Sequence, residues 1–409
     1  FFIIFFIIFF IIFFIIFFII FFKYTFVSIY TKKILLYLIN KYINMFKKNL
    51  QVSDLGEKKL IERIVEKSKD FEFNSNKYLN SYIGDDAALI DFNNNLTNEK
   101  NYLVATTDLL IQKHHFPLQM SFFQMGWKAV TVNVSDIAAM GAKPVGILIS
   151  LAIPPNLALE SFEEMIDGIL EACNYYKIPL IGGDTNEDDE IIISGTALGK
   201  VEQSLAKKKY GFKIGDKLAI TGQLGLAALG FELLKEENKE IIEKSIENKK
   251  ISSDLVDLSI DAALNPKARL NEGIILSKIA SSVTDITDGL ASELYELFDA
   301  NKNFNRNNNL GIRVYEDKIA NEPLFEEIYD LSKILNKDIF DLIFHIGEDF
   351  ELLFTFNNDN ENSIIDELSK KLNFIIIGEI NNYNKVEIEY CDGKVQKLSS
   401  KGYEHLSND

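Results

Sequence analysis

The stretch SFFQMGWKAVTVNVSDIAAMGA, residues 121–142, decides how this chain folds. Its residues are mostly apolar, Ser121 can cap a first helical turn, and Gly141, with Pro144 soon after, can end the last one. The stretch therefore predicts one long helix. Because apolar side chains surround it on nearly every side, we expect this helix to be buried.

Segments on both sides of this helix alternate between helix and strand patterns. Upstream, residues 52–68 have an amphipathic helical period after a Ser or Asp cap, and strands are expected at 82–90 and 102–110. Downstream, the pattern predicts a strand, a helix, a short buried strand and another strand, in VGILISLAI, LESFEEMIDGILEACNYY, IPLIGGDT and EIIISGTALGKV. The alternation predicts an α/β or α+β protein with a sizeable sheet.

A second domain is expected to begin near residue 200. There a basic connector punctuated by glycines, KVEQSLAKKKYGFKIGD, precedes a new strand, glycine turn and helix in DKLAITGQLGLAALGFELLKE. The chain of 409 residues is long enough for two domains. We therefore expect an N-terminal domain over residues 45–200 and a C-terminal domain over residues 201–409.

The first 22 residues repeat Phe-Phe-Ile-Ile without a polar residue, and Lys23 follows them. By length alone this repeat could span a bilayer, which takes roughly 20 apolar residues. A perfect repeat without small residues is more typical of a low-complexity extension, and Met45 opens a conventional globular sequence. We expect residues 1–44 to lie outside the fold and a membrane anchor to be absent.

The charge balance and the cysteines exclude several classes of function. Lys and Arg number 43 against 60 Asp and Glu, a net charge of −17 that would repel nucleic-acid phosphates. Cys173 and Cys391 are far apart and have no metal-ligand spacing, so we expect neither zinc nor thiol chemistry. Two cysteines also make no disulfide framework, which predicts a cytoplasmic location.

Six motifs place a carboxylate beside glycine or a hydroxyl at the end of an apolar run. Their acidic residues are Asp85, Asp86, Asp108, Asp136, Asp184, Asp285, Asp288, Glu348 and Asp349. A single motif, such as that of Asp108, is explained equally well as a cap or an Asx-turn. A cap or an Asx-turn explains the neighbours Asp85 and Asp86 less well, because two carboxylates 4 Å apart repel by about 1 kcal/mol in water and about 4 kcal/mol at an effective dielectric of 20. A bound cation would relieve this repulsion.

The oxygen ligands in these motifs indicate a hard metal. Hydroxyls of Thr106, Thr107 and Thr287 lie beside the acids, a ligand set that favours Mg²⁺ before Ca²⁺. Mg²⁺ usually bridges to substrate phosphates, so the pattern predicts a magnesium-phosphate site. The glycines of GGDT and TGQLG can bring backbone N–H groups to phosphate oxygens. Because the sequence has no Walker A motif, G-x-G-x-x-G motif or protein-kinase catalytic loop, an ATP site would need another design.

Lys and Arg are absent from the six acidic motifs. The run Lys207–Lys209 is interpreted as a solvated face from which one side chain could reach a nucleotide phosphate. His114 and His115, just after the Asp108 strand, are expected in a surface loop.

Taken as a set, the motifs resemble the thiamine-monophosphate kinase family, within the superfamily of aminoimidazole ribonucleotide synthetase and selenophosphate synthetase. The matching motifs are, in order, IGDDAALI, TTDLLIQKHHF, GWKAVTVNVSDIAAMGAKP, LIGGDTN, NPKAR, DITDGLASEL, GEDFELLF and KGYEHL. The resemblance implies a two-domain α/β protein, with an N-terminal sheet domain that forms a homodimer interface and a C-terminal α/β sandwich. It also implies transfer of the ATP γ-phosphate to thiamine monophosphate, with several Mg²⁺ ions.

The resemblance also implies the roles of individual residues. Those implied to hold Mg²⁺ are Asp85, Asp86, Thr106, Thr107, Asp108, Asp136, Asp184, Asp285 and Asp288. Those implied to contact ATP are Gly183, Asp184, Lys209 and Thr287. Those implied to contact the thiamine substrate are His115, Glu348 and Tyr403. The chain departs from the family at Lys209, where an Arg is frequent, and at Ser400, where an aromatic residue often precedes KGY.

Two alternatives fit the same sequence. One is another ATP-dependent synthetase of the superfamily, although selenide chemistry would call for a reactive Cys early in the N-terminal domain, and none is present there. The other is a non-catalytic binding protein stabilised by metal. Release of ADP that depends on thiamine monophosphate separates the three interpretations.

Overall fold

The computed structural model describes residues 57–68, 85–91, 100–304, 309–357, 365 and 368–400. The expected extension over residues 1–44 and the substrate-site candidate Tyr403 lie outside the described residues. Among the helices that are described, none is long and apolar enough to cross a membrane.

The described chain alternates between helices and strands. The strands are β1 Ala88–Asp91, β2 Asn101–Ile111, β3 Lys143–Ile153, β4 Leu180–Glu187, β5 Ile192–Glu202, β6 Lys217–Thr221, β7 Ala280–Ile286, β8 Gly311–Tyr315, β9 Glu351–Phe356, β10 Phe374–Asn381, β11 Val386–Glu389 and β12 Val395–Lys397. The α-helices are α1 Glu57–Ser68, α2 Gln112–His115, α3 Phe122–Ala139, α4 Leu159–Tyr176, α5 Leu226–Leu233, α6 Lys239–Glu247, α7 Ser253–Leu264, α8 Leu270–Leu276, α9 Leu290–Phe304, α10 Glu316–Ile319, α11 Phe325–Ile334 and α12 Ile339–His345.

Helix α3 is the long buried helix predicted from residues 121–142. Ser121 caps it through a capping box, in which its hydroxyl accepts from the Gln124 N–H and the Gln124 side chain accepts from the Ser121 N–H. Most of its residues are buried, and it contacts β2, β3 and β5 as well as α4, α8 and β7. The prediction is confirmed, and α3 contacts strands of both sheets.

The first sheet has five strands in the order β1-β2-β5-β3-β4. Only the β3–β4 pair is parallel, and helix α4 connects these two strands. Strand β4 was predicted as a short buried strand from IPLIGGDT, but all its residues are exposed. The reason is its place at the edge of the sheet, where it pairs with β3 alone.

The second sheet has seven strands in the order β12-β11-β8-β10-β6-β9-β7. Its strand β9 is buried on both faces: Leu352, Phe354 and Phe356 belong to the core shared with the first sheet, whereas Leu353 belongs to a second core. This second core also includes residues of α5, α7, α9, α11 and α12. Two sheets with packed helices confirm the expected α/β (α+β) class.

The described residues from Val65 to Ser400 belong to one compact unit. Within it the first sheet ends at Glu202 and the second begins at Lys217. A boundary between independently folded domains near residue 200 stays a prediction.

Candidate active site

Three carboxylates from distant parts of the chain meet at one point. Asp86 precedes β1, Asp136 lies in the last turn of α3, and Asp285 lies near the end of β7. One carboxylate oxygen of each residue lies within 4.8 Å of those of the other two. The structure therefore brings together three of the acidic motifs, because α3 packs between β2 and β7.

Hydroxyl groups hold these carboxylates in place. The donors, each followed by its acceptor, are Thr106 to Asp136, Ser135 to Asp285 at 2.5 Å, and Thr284 to Asp86 at 3.2 Å. A hydroxyl that donates to a carboxylate stabilises the charged form. The side chains of the cluster are thus fixed before any ligand binds.

The two neighbouring threonines of β2 behave differently. Thr106 contacts Asp136, whereas Thr107 donates to the Gly195 carbonyl at 2.7 Å, across the sheet on β5. Successive residues of a strand face opposite sides of a sheet, so Asp108 shares the Thr106 side. Burial, and then the Asp108 charge, raise the pKa of Asp136, which also indicates that Asp108 faces the cluster. The predicted role of Thr107 as a ligand stays a prediction.

Burial and mutual repulsion raise the pKa values of the cluster. Burial, and then the Asp86 charge, raise the pKa of Asp85 to about 7 and that of Asp285 to about 8. Burial raises the pKa of Asp108 to about 6 and that of Asp136 well above its ordinary value. These carboxylates are therefore costly to ionise together without a cation.

Two buried carboxylate oxygens without a hydrogen-bond partner could bind such a cation. The Oδ2 atoms of Asp85 and Asp86 are buried and have no hydrogen-bond partner among the described residues. A buried carboxylate oxygen without a partner is unfavourable, and a hard metal ion is the ligand that suits it. The donor set consists of oxygen atoms only, so these residues fit Mg²⁺.

Lys209 is the cation of the cluster. Its ammonium lies 2.7 Å from Asp86 Oδ1 and pairs with Glu296, and its backbone N–H donates to Asp85 at 3.1 Å. Burial lowers the pKa of Lys209, but the charges of Asp86 and Glu296 outweigh burial and raise it well above its ordinary value. The expectation that this lysine run is a solvated face is wrong for Lys209, because the side chain is buried against these acids.

Two acids of α9, Glu293 and Glu296, lie near Lys209, and neither was predicted from the sequence. Glu293 on α9 is 2% exposed and accepts from the Asp288 N–H at 3.3 Å. Burial, and then the charge of Glu296, raise its pKa well above the ordinary value. The sequence feature that could have identified them is their spacing of three residues, which places both on one face of a helix. The candidate ligand Asp288 is thereby joined to the region around Lys209.

A second group of polar residues lies where the thiamine substrate was expected. The ammonium of Lys128, on α3, donates to both carboxylate oxygens of Glu348 at 2.7 Å and to the His115 carbonyl at 2.8 Å. His115 ends the short helix α2, where a surface loop was expected. Two predicted substrate residues are therefore joined by a lysine that was not predicted. The sequence feature that could have identified Lys128 is its charge inside an otherwise apolar helix.

The remaining candidates lie on β4 and between β7 and α9. Asp184 and Gly183 are exposed on β4, opposite Ser150 and Ile149 of β3. A Cβ atom at Gly183 would overlap the Ile149 carbonyl oxygen, so only glycine fits this pairing. The Thr287 carbonyl accepts from the Glu348 N–H at 2.8 Å. The roles of Asp184, Gly183 and Thr287 stay predictions.

Two N–H groups of the TGQLG turn are bound by carboxylates and are not free for phosphate. The Leu224 N–H donates to Glu322 and the Gly225 N–H to Asp349, each at 3.1 Å. Both carboxylates come from later in the chain, so the local pattern gave no sign of them. The expectation that this turn cradles phosphate is therefore wrong for these two N–H groups.

Comparisons with known proteins assign the chain to a family. The model described as AIR synthase related protein, N-terminal domain, matches residues 84–201, which contain most of the acidic motifs. The thiamine-monophosphate kinase of Pyrococcus horikoshii is 36% identical over 329 residues, which are 80% of this chain and 92% of that relative. The chain belongs to the thiamine-monophosphate kinase family. The resemblance read from the motifs is confirmed.

Solved structures of the family have the same fold. The structure described as AaThiL complexed with AMPPCP and TMP is similar with a TM-score of 0.69 and 28% identity, covering 88% of this chain and 99% of that one. The thiamine monophosphate kinase from Aquifex aeolicus is similar with a TM-score of 0.64 and 26% identity, covering 85% of this chain and 100% of that one. The similarity therefore includes both sheets.

Proposed function

We propose that this chain transfers the γ-phosphate of ATP to thiamine monophosphate, giving thiamine diphosphate and ADP. The observation that carries the proposal is the meeting of Asp86, Asp136 and Asp285 within 4.8 Å of one another, in a chain 36% identical to a thiamine-monophosphate kinase. A related structure is described as complexed with AMPPCP and TMP, an ATP analogue and the acceptor. Acids and acceptor residues together fit phosphoryl transfer better than simple binding.

Several Mg²⁺ ions are part of the proposal. The acidic cluster would hold them, with Asp85, Asp86, Asp108, Asp136 and Asp285 as the main ligands. The buried orphan oxygens of Asp85 and Asp86 support this assignment. Bound Mg²⁺ neutralises charge on the phosphate oxygens. Thr106, Thr107, Asp184 and Asp288 remain candidate ligands within the same proposal.

The chain itself would act mainly by positioning and by charge. The bond between the γ-phosphorus and the β,γ-bridging oxygen breaks as an oxygen of the acceptor phosphate forms the new bond in line, so no phosphoenzyme is needed. Thr106, Ser135 and Thr284 hold the carboxylates through their hydrogen bonds. The residues proposed to contact ATP are Gly183, Asp184, Lys209 and Thr287. Those proposed to orient the thiamine substrate are His115, Glu348 and Tyr403.

A homodimer through the first sheet also belongs to the proposal. The face of this sheet opposite α3 carries Leu109, 54% exposed, and Leu148, 36% exposed, and further exposed apolar residues lie on β3 and β4. An apolar face of this kind fits a second copy of the chain. A cytoplasmic location is proposed from the cysteine content.

The test is ADP release with a panel of acceptors. We expect the purified protein to release ADP from ATP with thiamine monophosphate and Mg²⁺, and to release little with thiamine, selenide or an amide substrate of the superfamily. Release with an amide or with selenide would favour another synthetase of the superfamily. No release with any acceptor, from folded protein, would favour a binding protein.

A further inference from the structure

Lys128 is buried in helix α3 and has three polar partners. It is 1% exposed, and its three N–H bonds are matched by the two carboxylate oxygens of Glu348 and the carbonyl oxygen of His115. A fully buried lysine is rare and requires an anionic partner. Lys128 therefore ties α3 to the end of α2 and to the loop before β9.

The loop that carries Glu348 is held in an unusual backbone conformation. Glu348 has φ of 68°, a left-handed value that is rare outside glycine, and its N–H donates to the Thr287 carbonyl. The preceding Gly347 packs so closely against Thr287 that a Cβ atom would overlap its carbonyl oxygen. Conformations of this kind persist where the surroundings impose them, and they are frequent at ligand sites.

We propose that Lys128 is the positioning residue of the acceptor site, which fixes the Glu348 carboxylate and the His115 turn against each other. This inference rests on the proposed function and adds a residue to it. Glu348 remains 28% exposed although both its oxygens contact Lys128, so the carboxylate is presented to solvent in one fixed orientation.

The pair changes how Glu348 can recognise thiamine. An unpaired carboxylate would attract the positive thiazolium ring by charge, whereas a carboxylate bound to an ammonium at 2.7 Å has most of its charge compensated. Glu348 would then act through the hydrogen-bonding geometry of its oxygens.

The test compares Lys128→Met, Glu348→Gln and the double variant. Thiamine monophosphate and ATP binding are measured separately by calorimetry, with a melting curve for each protein. We expect Lys128→Met to weaken thiamine monophosphate binding about tenfold or more and ATP binding less than about twofold, because only the acceptor residues lose their support. The double variant should bind thiamine monophosphate as Glu348→Gln does, since both changes remove the same pair.

Thr131→Val is the matched control on the same helix. Thr131 is fully buried and bonds Tyr176 rather than the acceptor residues. It should lower the melting temperature without changing thiamine monophosphate affinity. If Lys128→Met does not fold, the double variant, which leaves no unpaired charge, replaces it in the test. Its thiamine monophosphate affinity should then equal that of Glu348→Gln.

Three results would overturn the inference. They are unchanged thiamine monophosphate affinity in folded Lys128→Met, equal losses for both ligands, and a double variant whose loss is the sum of the single losses. Wild-type protein that binds no thiamine monophosphate would overturn the proposed function together with this role for Lys128. Wild-type binding with an unaffected Lys128→Met variant would overturn only the role of Lys128.

Discussion

Replacing Asp285 by asparagine should stabilise the protein in the absence of metal. The Asn side-chain oxygen can still accept the bond that Ser135 now donates to Asp285. Two carboxylates at the 4.8 Å limit of this cluster repel by roughly 3.5 kcal/mol at an effective dielectric of 20. Asp285 takes part in two of the three pairs with Asp86 and Asp136. Because bound protons and Lys209 already offset much of this repulsion, we expect a gain of about 2 kcal/mol.

The same substitution should weaken the response to Mg²⁺. For wild type, Mg²⁺ at 100 times its dissociation constant stabilises by about 2.7 kcal/mol, which in a protein of this size raises the melting temperature by about 3 °C. Asp285→Asn should melt higher than wild type in EDTA and gain less than about half of this shift on addition of Mg²⁺. Melting curves with and without Mg²⁺ measure both effects.

Asp330→Asn is the control, because Asp330 is exposed on α11, away from the cluster. It should match wild type in both conditions. An Asp285→Asn variant that melts below wild type in EDTA, or that keeps the full Mg²⁺ shift, would refute the reasoning that repulsion among these acids prepares a metal site.

Three further predictions follow from the structure and the sequence. Asp184→Asn should lower turnover by orders of magnitude with an unchanged melting temperature, because an amide is a poor Mg²⁺ ligand; wild-type turnover would remove Asp184 from the site. Burial raises the pKa of Glu322 from 4.5 to about 8, so its contribution to stability is full below pH 4.5 and is lost as the pH rises to about 8. The melting temperature of Glu322→Gln, relative to that of wild type, should therefore rise with pH across this range, whereas that of Glu326→Gln, at an exposed position of α11, should not. A difference between Glu322→Gln and wild type that stays constant with pH would contradict the raised pKa of Glu322. Protein starting at Met45 should keep its activity and melting temperature, and activity restricted to full-length protein in bilayers would contradict this.

Local periodicity was sufficient to predict the main elements of the fold. The helix from Phe122 to Ala139 and the helix from Leu159 to Tyr176 follow directly from their apolar spacing and, for the first, from the Ser121 cap. The order of strands within each sheet was beyond the pattern, since pairing depends on contacts distant in sequence. For this reason the apolar residues of β4 predicted a buried strand, whereas in the structure β4 is an exposed edge strand.

The acids of the site could be found from the sequence, but their cations could not. Asp86, Asp136 and Asp285 stand out because each interrupts a run of apolar residues. Lys209 contacts Asp86 from far along the chain, and Lys128 contacts Glu348 across an even longer separation. No local pattern encodes such pairs. A lysine in a basic run reads as solvated, and only the fold shows that Lys209 is buried against two carboxylates.

The most direct test of the central claim is the fate of the γ-phosphate. ATP labelled with ³²P at the γ position is incubated with the protein, thiamine monophosphate and Mg²⁺, and the products are separated by chromatography. We expect the label in the terminal phosphate of thiamine diphosphate, with one ADP formed for each molecule of product. Label released as inorganic phosphate, or thiamine diphosphate formed together with AMP, would contradict direct phosphoryl transfer between the two phosphates.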